Sequence, residues 1–285
     1  MTLNRQQHRP PLHWQSQLIL LVFLPITAAW VTLQAGQALY LRTPVFGQAM
    51  GISAGFAALV FFLRAATPAA ALTGGLITAT LYLWTPGWRT ALWPLLALFL
   101  LTFAATRFGR RRKEKLGTAE GKRGRSASQV AANVGVAALA AIPLSAAHVF
   151  LNSPAVGRAS LLAMTAALAE ATADTLSSEL GQVLGGEPRL LTTFRRVPAG
   201  TDGAISVAGT LAGCAGAAIV TGIAAFVLQL THIEAAIALA GGVIGLFADS
   251  LLGATLERMG WLNNDMVNLL STLAAALVAG YGAKV

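Results

Sequence analysis

Nine long apolar runs restrict what this chain can fold into more than any other feature. They are Leu18–Tyr40, Phe46–Leu63, Ala69–Thr85, Thr90–Thr106, Val130–Phe150, Gly157–Leu176, Ala208–Leu230, Ala235–Leu252 and Met266–Ala283. A helix needs about 20 apolar residues to cross the hydrocarbon of a bilayer. The runs are continuous and rich in Ala and Leu, without the alternation of a membrane β-barrel strand. They predict an all-α, polytopic integral membrane protein with about nine transmembrane helices. Only 11% of the residues are charged, against about 25% in globular domains, which excludes an ordinary soluble fold. The 29 glycines suit helices that pack closely in lipid through small residues.

The polar, weakly basic N-terminus is followed by an apolar run with no cleavage pattern of small residues in the right place. An uncleaved first span is expected, not a secretory signal. Lys and Arg mark the cytoplasmic side of membrane proteins. With the N-terminus inside, sixteen of the 20 basic residues fall inside, nine of them between Arg107 and Arg125. Arg42, Arg89, Arg158 and Lys284 fall outside. The prediction is N-terminus in, C-terminus out, in the inner membrane if the cell is prokaryotic. This placement and contact with anionic lipid account for the net charge of +9. The expected partner is the bilayer, with no nucleic acid.

Three regions follow: residues 1–106, N-terminal spans poor in motifs; 107–129, a basic cytoplasmic loop; and 130–285, a core with a second cytoplasmic loop at 177–206. That second loop mixes Gly, Pro, Thr, Arg and Asp without periodicity, as a shaped binding loop does.

The topology also gathers polar residues on one side. Asp174 and Asp249 each end a span at the cytoplasmic face, in the related sequences ADTL and ADSL. Asn133 and Asn268 each open one there. Glu257, Asp202 and Asp265 lie on the same side, and Glu234 is the one acid of the eleven placed outside. Glu170 and Asp174, four apart, share a helix face. So do Gly245, Asp249, Gly253 and Glu257 if the helix continues past Gly253, and so do Asn264, Asn268 and Ser271. Intramembrane ionisable groups are costly and point to function. Such a cluster suits Mg²⁺ binding, proton or cation coupling in a transporter, or pairing with Arg195, Arg196 or Lys122 to hold loops. The segment Gly117–Arg123 is not a P-loop, because its glycine spacing is wrong. No HExxH or GxSxG motif occurs, and the single Cys214 excludes an internal disulfide or a cysteine metal cluster.

Five stretches in order carry a family resemblance: Lys115–Gly135 (KLGTAEGKRGRSASQVAANVG), Asp174–Gly181 (DTLSSELG), Val197–Thr210 (VPAGTDGAISVAGT), Asp249–Glu257 (DSLLGATLE) and Asn264–Asn268 (NDMVN). They resemble the integral membrane family that includes human transmembrane protein nineteen and plant phytyl-phosphate kinase. The likeness covers about Lys115 to Val285. Before that, only Leu72–Leu76 (LTGGL) is similar.

The resemblance implies a kinase that converts an isoprenoid monophosphate to its diphosphate with CTP or ATP and Mg²⁺, at the cytoplasmic interface. Asp174 and Asp249 are then the first metal candidates, followed by Glu179, Asp265 and Asn268. Arg195 and Arg196, with Lys122, Arg123 and Lys115, are candidates for phosphate contacts. Gly200, Thr201, Asp202 and Gly203 form a candidate phosphate-binding loop. Gln129, Asn133, Ser250, Glu257 and Asn264 complete the expected site walls. A nucleotidyltransferase makes nearly the same demands. A transporter predicts polar groups at mid-membrane depth and on both faces. A non-catalytic membrane protein predicts that replacing Asp174 and Asp249 changes stability at most.

Overall fold

The computed structural model describes residues 13–119, 124–150 and 153–283, with the backbone alone for 143–150 and 154. Its helices are α1 (His13–Leu41), α2 (Val45–Phe62), α3 (Pro68–Trp84), α4 (Leu92–Arg107), α5 (Arg110–Leu116), α6 (Ala127–Phe150), α7 (Pro154–Leu184), α8 (Val207–Leu228), α9 (His232–Leu252) and α10 (Asn264–Gly282). A π-helical turn, Gly253–Glu257, continues α9. Two short strands, β1 (Arg189–Leu190) and β2 (Ala204–Ile205), pair antiparallel.

Each apolar run coincides with a helix to within two residues at the ends that overrun it, and the helical membrane class is as the runs predict. Among the described residues, five helices are long and apolar enough to cross a membrane by themselves: α1, α2, α8, α9 with its π turn, and α10. Joining α4 to α5 across their 64° bend makes six. Of the other four, α3 and α4 are short at 17 and 16 residues, α6 is counted only over its described side chains, Ala127–Ile142, and α7 carries several charges.

Those charges are tolerated because α7 is surrounded by protein. It packs against α4, α6, α8, α9 and α10, and Leu162, Met164, Leu168 and Ala169 are fully buried. Small residues allow the approach: a Cβ on Gly213 of α8 would lie 2.7 Å from the Ala173 carbonyl oxygen. By contrast, α1 buries a single stripe, Gln15, Ile19, Phe23 and Thr27, and leaves Leu21 and Leu33 on its outer face. Helices before and after residue 106 pack together, α3 on α6 and α4 on α7 and α8.

The two ends of the bundle differ. At one end Gln15 Nε2 donates to the Trp261 carbonyl (2.8 Å), Ser16 Oγ to Asp265 Oδ2 (2.6 Å) and Lys113 Nζ to Glu179 Oε2 (2.5 Å). At the other, Arg158 pairs with Glu234. Glu234 also closes a capping box with Thr231 at the start of α9.

Candidate functional site

A polar cavity of about 360 Å³ opens at the first end, between α6, α7, α9, α10 and the loop before β2. Its α6 wall begins with a capping box in S126-A-S-Q129. Ser126 Oγ accepts from the Gln129 amide (3.2 Å), and Gln129 Oε1 accepts from the Ser126 amide (2.7 Å). One turn later Asn133 Nδ2 donates to the Gln129 carbonyl (2.8 Å). Asn263 caps α10 by accepting from the Met266 amide (2.9 Å), which sets Asn264 and Asn268 on the cavity wall. With its oxygen accepting from Asn133 Nδ2 (3.1 Å), the Asn268 amide donates to Asp249 Oδ2 (3.3 Å). Ser271 Oγ donates to the same oxygen (3.3 Å).

The π turn continues the α9 stripe. The Arg258 amide donates five residues back to the Gly253 carbonyl (3.3 Å), and both Asp249 and Glu257 face the cavity. Such turns are frequent at functional sites. The loop from Pro198 to Gly203 packs against this turn. Gly203 has φ +67, and a Cβ there would lie 1.9 Å from the Ala254 amide nitrogen, so no other residue fits.

Five carboxylates line the cavity: Asp174, Glu179, Asp202, Asp249 and Glu257. Asp174 from α7 and Asp249 from α9 both face it. Lys113 neutralises Glu179. Among the described lining residues Arg125 is the sole cation, and its Nη2 donates to Thr175 Oγ1 (3.3 Å). Asp202 lies in the loop, where partial burial raises its carboxyl pKa and Arg258 offsets part of the rise. The excess of negative charge favours a bound cation. Among the described residues no three His, Cys, Asp or Glu side chains form a ready-made metal cluster. The donor set fits Mg²⁺, which takes one or two carboxylates and completes its shell with water and phosphate oxygens.

Of the residues singled out in the sequence, the structure brings together Gln129, Asn133, Asp174, Glu179, Gly200, Thr201, Asp202, Gly203, Asp249, Ser250, Glu257, Asn264 and Asn268. Four others point elsewhere. Lys115 is exposed on α5. Arg195 and Arg196 are exposed on the hairpin, where Arg196 pairs with Glu187 (2.8 Å). Asp265 is tied to Ser16 instead of facing the cavity. Lys122 and Arg123 lie outside the described residues. Sequence reasoning missed Arg125, Thr118, Thr175 and Gln182; the one available signal was an arginine immediately before the α6 capping box. Glu170 sits one turn deeper than Asp174, is 1% exposed, and leaves Oε1 without a hydrogen-bond partner.

A helical bundle with apolar outer faces and a carboxylate-lined cavity at one end defines a polytopic membrane protein with an interfacial polar site. The chain belongs to the family described as integral membrane protein DUF92, whose model matches residues 51–276. It is similar to protein VTE6, chloroplastic, of Arabidopsis thaliana, at 31% identity over 78% of this chain and 68% of that protein. An uncharacterized membrane protein of Methanocaldococcus jannaschii is 45% identical over 41% of this chain. The match spans about half of that relative's length (49%). An uncharacterized membrane protein of Synechocystis is 34% identical over 68% of this chain and 73% of its own length. No solved structure matches.

Proposed function

We propose that this protein is a membrane kinase that adds a phosphate to an isoprenoid monophosphate, phytyl phosphate or a close relative, with CTP or ATP as donor. The observation that carries the reading is the convergence of five carboxylates, Arg125 and the Gly200–Gly203 loop in one cavity at the end of the bundle. There a lipid-borne phosphate and a nucleotide from the water can meet. The resemblance to the family of plant phytyl-phosphate kinase supplies the reaction. The count of basic residues supports a cytoplasmic placement of this end.

Phosphoryl transfer asks the protein for positioning and charge neutralisation more than for covalent chemistry. The acceptor is already an anion, so its oxygen needs no strong base, and the obstacle is repulsion between two polyanions. Asp174 and Asp249 would hold Mg²⁺, with Asn268 and Glu257 beside them. The ion supplies neutralisation of phosphate charge. Arg125 orients a phosphate through its planar fork of donors, and Asn133 and Asn268 fix the orientation of Asp249. Glu179, held by Lys113, and Asp265, held by Ser16, act as structural ties.

The test is incubation of purified protein with phytyl phosphate, Mg²⁺ and labelled CTP or ATP. A γ-label is expected in lipid diphosphate, abolished by chelation. An α-label in the lipid would show nucleotidyl transfer instead, and no lipid label from either nucleotide would overturn the reading. A transporter is disfavoured because the cavity's polar groups gather at one end.

A further inference from the structure

A second cavity, about 420 Å³, lies beside the polar one between α2, α3, α4 and α6. Its deeper wall is hydrocarbon, with Phe56, Ile77, Leu95, Leu98 and Val134. Its mouth carries Arg64, Arg107, Arg110 and Arg125, and Arg125 also lines the polar cavity. We propose that this second cavity seats the hydrocarbon tail of the isoprenoid phosphate, and that Arg125 is the joint at which its phosphate turns into the carboxylate-lined cavity. The identity of the ligand rests on the kinase reading above.

Length, charge and rigidity all suit such an occupant. From Arg107 at the mouth to Leu95 in the wall, α4 advances twelve residues, about 18 Å at 1.5 Å per residue. That is a little over half of the roughly 30 Å hydrocarbon thickness, so a tail lying there reaches about the bilayer midplane while its phosphate remains at the interface. Four arginines around an apolar opening match an anionic head on an apolar chain. Arg107 is fixed at the rim, donating from Nη2 to the Leu63 carbonyl (2.8 Å) and lying 3.7 Å above the Phe103 ring centre.

Arg125 is held most firmly of all. Its amide donates to the Ala65 carbonyl (3.0 Å), and its carbonyl accepts from the Thr67 amide (3.0 Å). Gly124 before it has φ +73, and a Cβ there would come within 2.4 Å of the Ala65 backbone. The main chain at Arg125 is therefore clamped to the α2–α3 connection while its guanidinium reaches Thr175 on α7. The residue bridges the two cavities by construction.

Gly74 is the position for the test, with the variant's melting temperature compared with the parent's. It lines the apolar cavity, and a Cβ on it would meet Phe56 Cε1 at 3.7 Å, an ordinary contact. Gly74→Leu then fills the space a tail would occupy. The full chain in phosphatidylcholine nanodiscs is exposed to a long prenyl phosphate with a photoreactive diazirine in its tail, and the labelled peptides are mapped. Labelling on α2, α3, α4 or α6 is expected, competed by unmodified prenyl phosphate and reduced about tenfold in Gly74→Leu, equivalent to about 1.4 kcal/mol. In turnover, KM for the long-chain phosphate should rise by a similar factor. KM for the nucleotide and turnover of a five-carbon prenyl phosphate should not change.

Equal labelling of the variant, or competition by added phospholipid alone, would overturn the proposal. Tail labelling in the cavity without any diphosphate formation would uphold it and overturn the kinase reading. Diphosphate formation with labels elsewhere would do the reverse.

Discussion

Replacing Lys113 with Met should unfold this protein more readily than any single change on its exposed faces. Lys113 is 1% exposed, and its Nζ donates to the carbonyls of Ala105 (2.8 Å) and Thr106 (2.9 Å) and to Glu179 Oε2 (2.5 Å). The two carbonyls belong to the last turn of α4, the negative end of its dipole. One ammonium thus closes α4 and ties it to α7. Removing one partner of a buried pair costs about 3–5 kcal/mol, because the other charge is stranded. The two carbonyls lose a donor, at about 1 kcal/mol each, and this overlaps with the first cost. Lys113→Met should therefore lose about 3–5 kcal/mol. Removing both charges, in Lys113→Met with Glu179→Leu, should recover at least about 2 kcal/mol of that loss, since a well-packed apolar pair often replaces a buried ion pair at no cost. Equilibrium unfolding of the four proteins in detergent completes the cycle. A Lys113→Met variant within about 1 kcal/mol of the parent, comparable to an exposed pair, would refute the reasoning. So would a double variant no more stable than Lys113→Met.

Asp174→Asn and Asp249→Asn should each abolish Mg²⁺-dependent turnover with the protein still folded, measured by the labelling assay and by unfolding. Full activity in both would refute the metal roles. Gly203→Ala should disorder the loop against Ala254, at a cost of at least about 1–3 kcal/mol for a strained backbone, and activity should fall with it; an unchanged melting temperature would count against that packing. Because burial raises the Asp202 pKa, its ionised form is disfavoured in the folded state. That penalty is absent below the unfolded pKa and grows as pH rises towards the folded value. Asp202→Asn should therefore raise the melting temperature at neutral pH and leave it unchanged near pH 3, an effect limited by solvent around this exposed side chain. A larger gain at low pH would reverse the sign and the argument.

Much of the architecture is legible in the chain because a membrane leaves few options for backbone hydrogen bonds. Each apolar run marks one helix, and the repeated Asp and Asn positions at the ends of runs converge in one cavity. What escaped reading has physical reasons. The sixth run ends at Leu176 by hydropathy, whereas α7 continues to Leu184, because its last turns face the cavity and loops instead of lipid. The loop at 177–206 proves to be the end of α7 and a small hairpin. That hairpin turns Arg195 and Arg196 outward, and side-chain type alone could not show it. In R110-R-R-K-E-K115 six neighbouring polar residues look equivalent. The geometry of α5 against α7 buries Lys113 and leaves Lys115 exposed. Arg125 is set apart from its basic neighbours in the chain by where its main chain is fastened.

That fastening reaches beyond the site. Arg125 is attached to the α2–α3 connection through its amide and carbonyl groups, which every residue except proline supplies in the same form. The α2–α3 connection can therefore hold Arg125 in place whatever side chains stand at Ala65 and Thr67, so long as its bend is kept. Motifs crowd into the later half of the chain, where under the proposed function side chains would meet phosphate and metal. A short motif list is thus a poor guide to which segments a minimal version of this protein can lose.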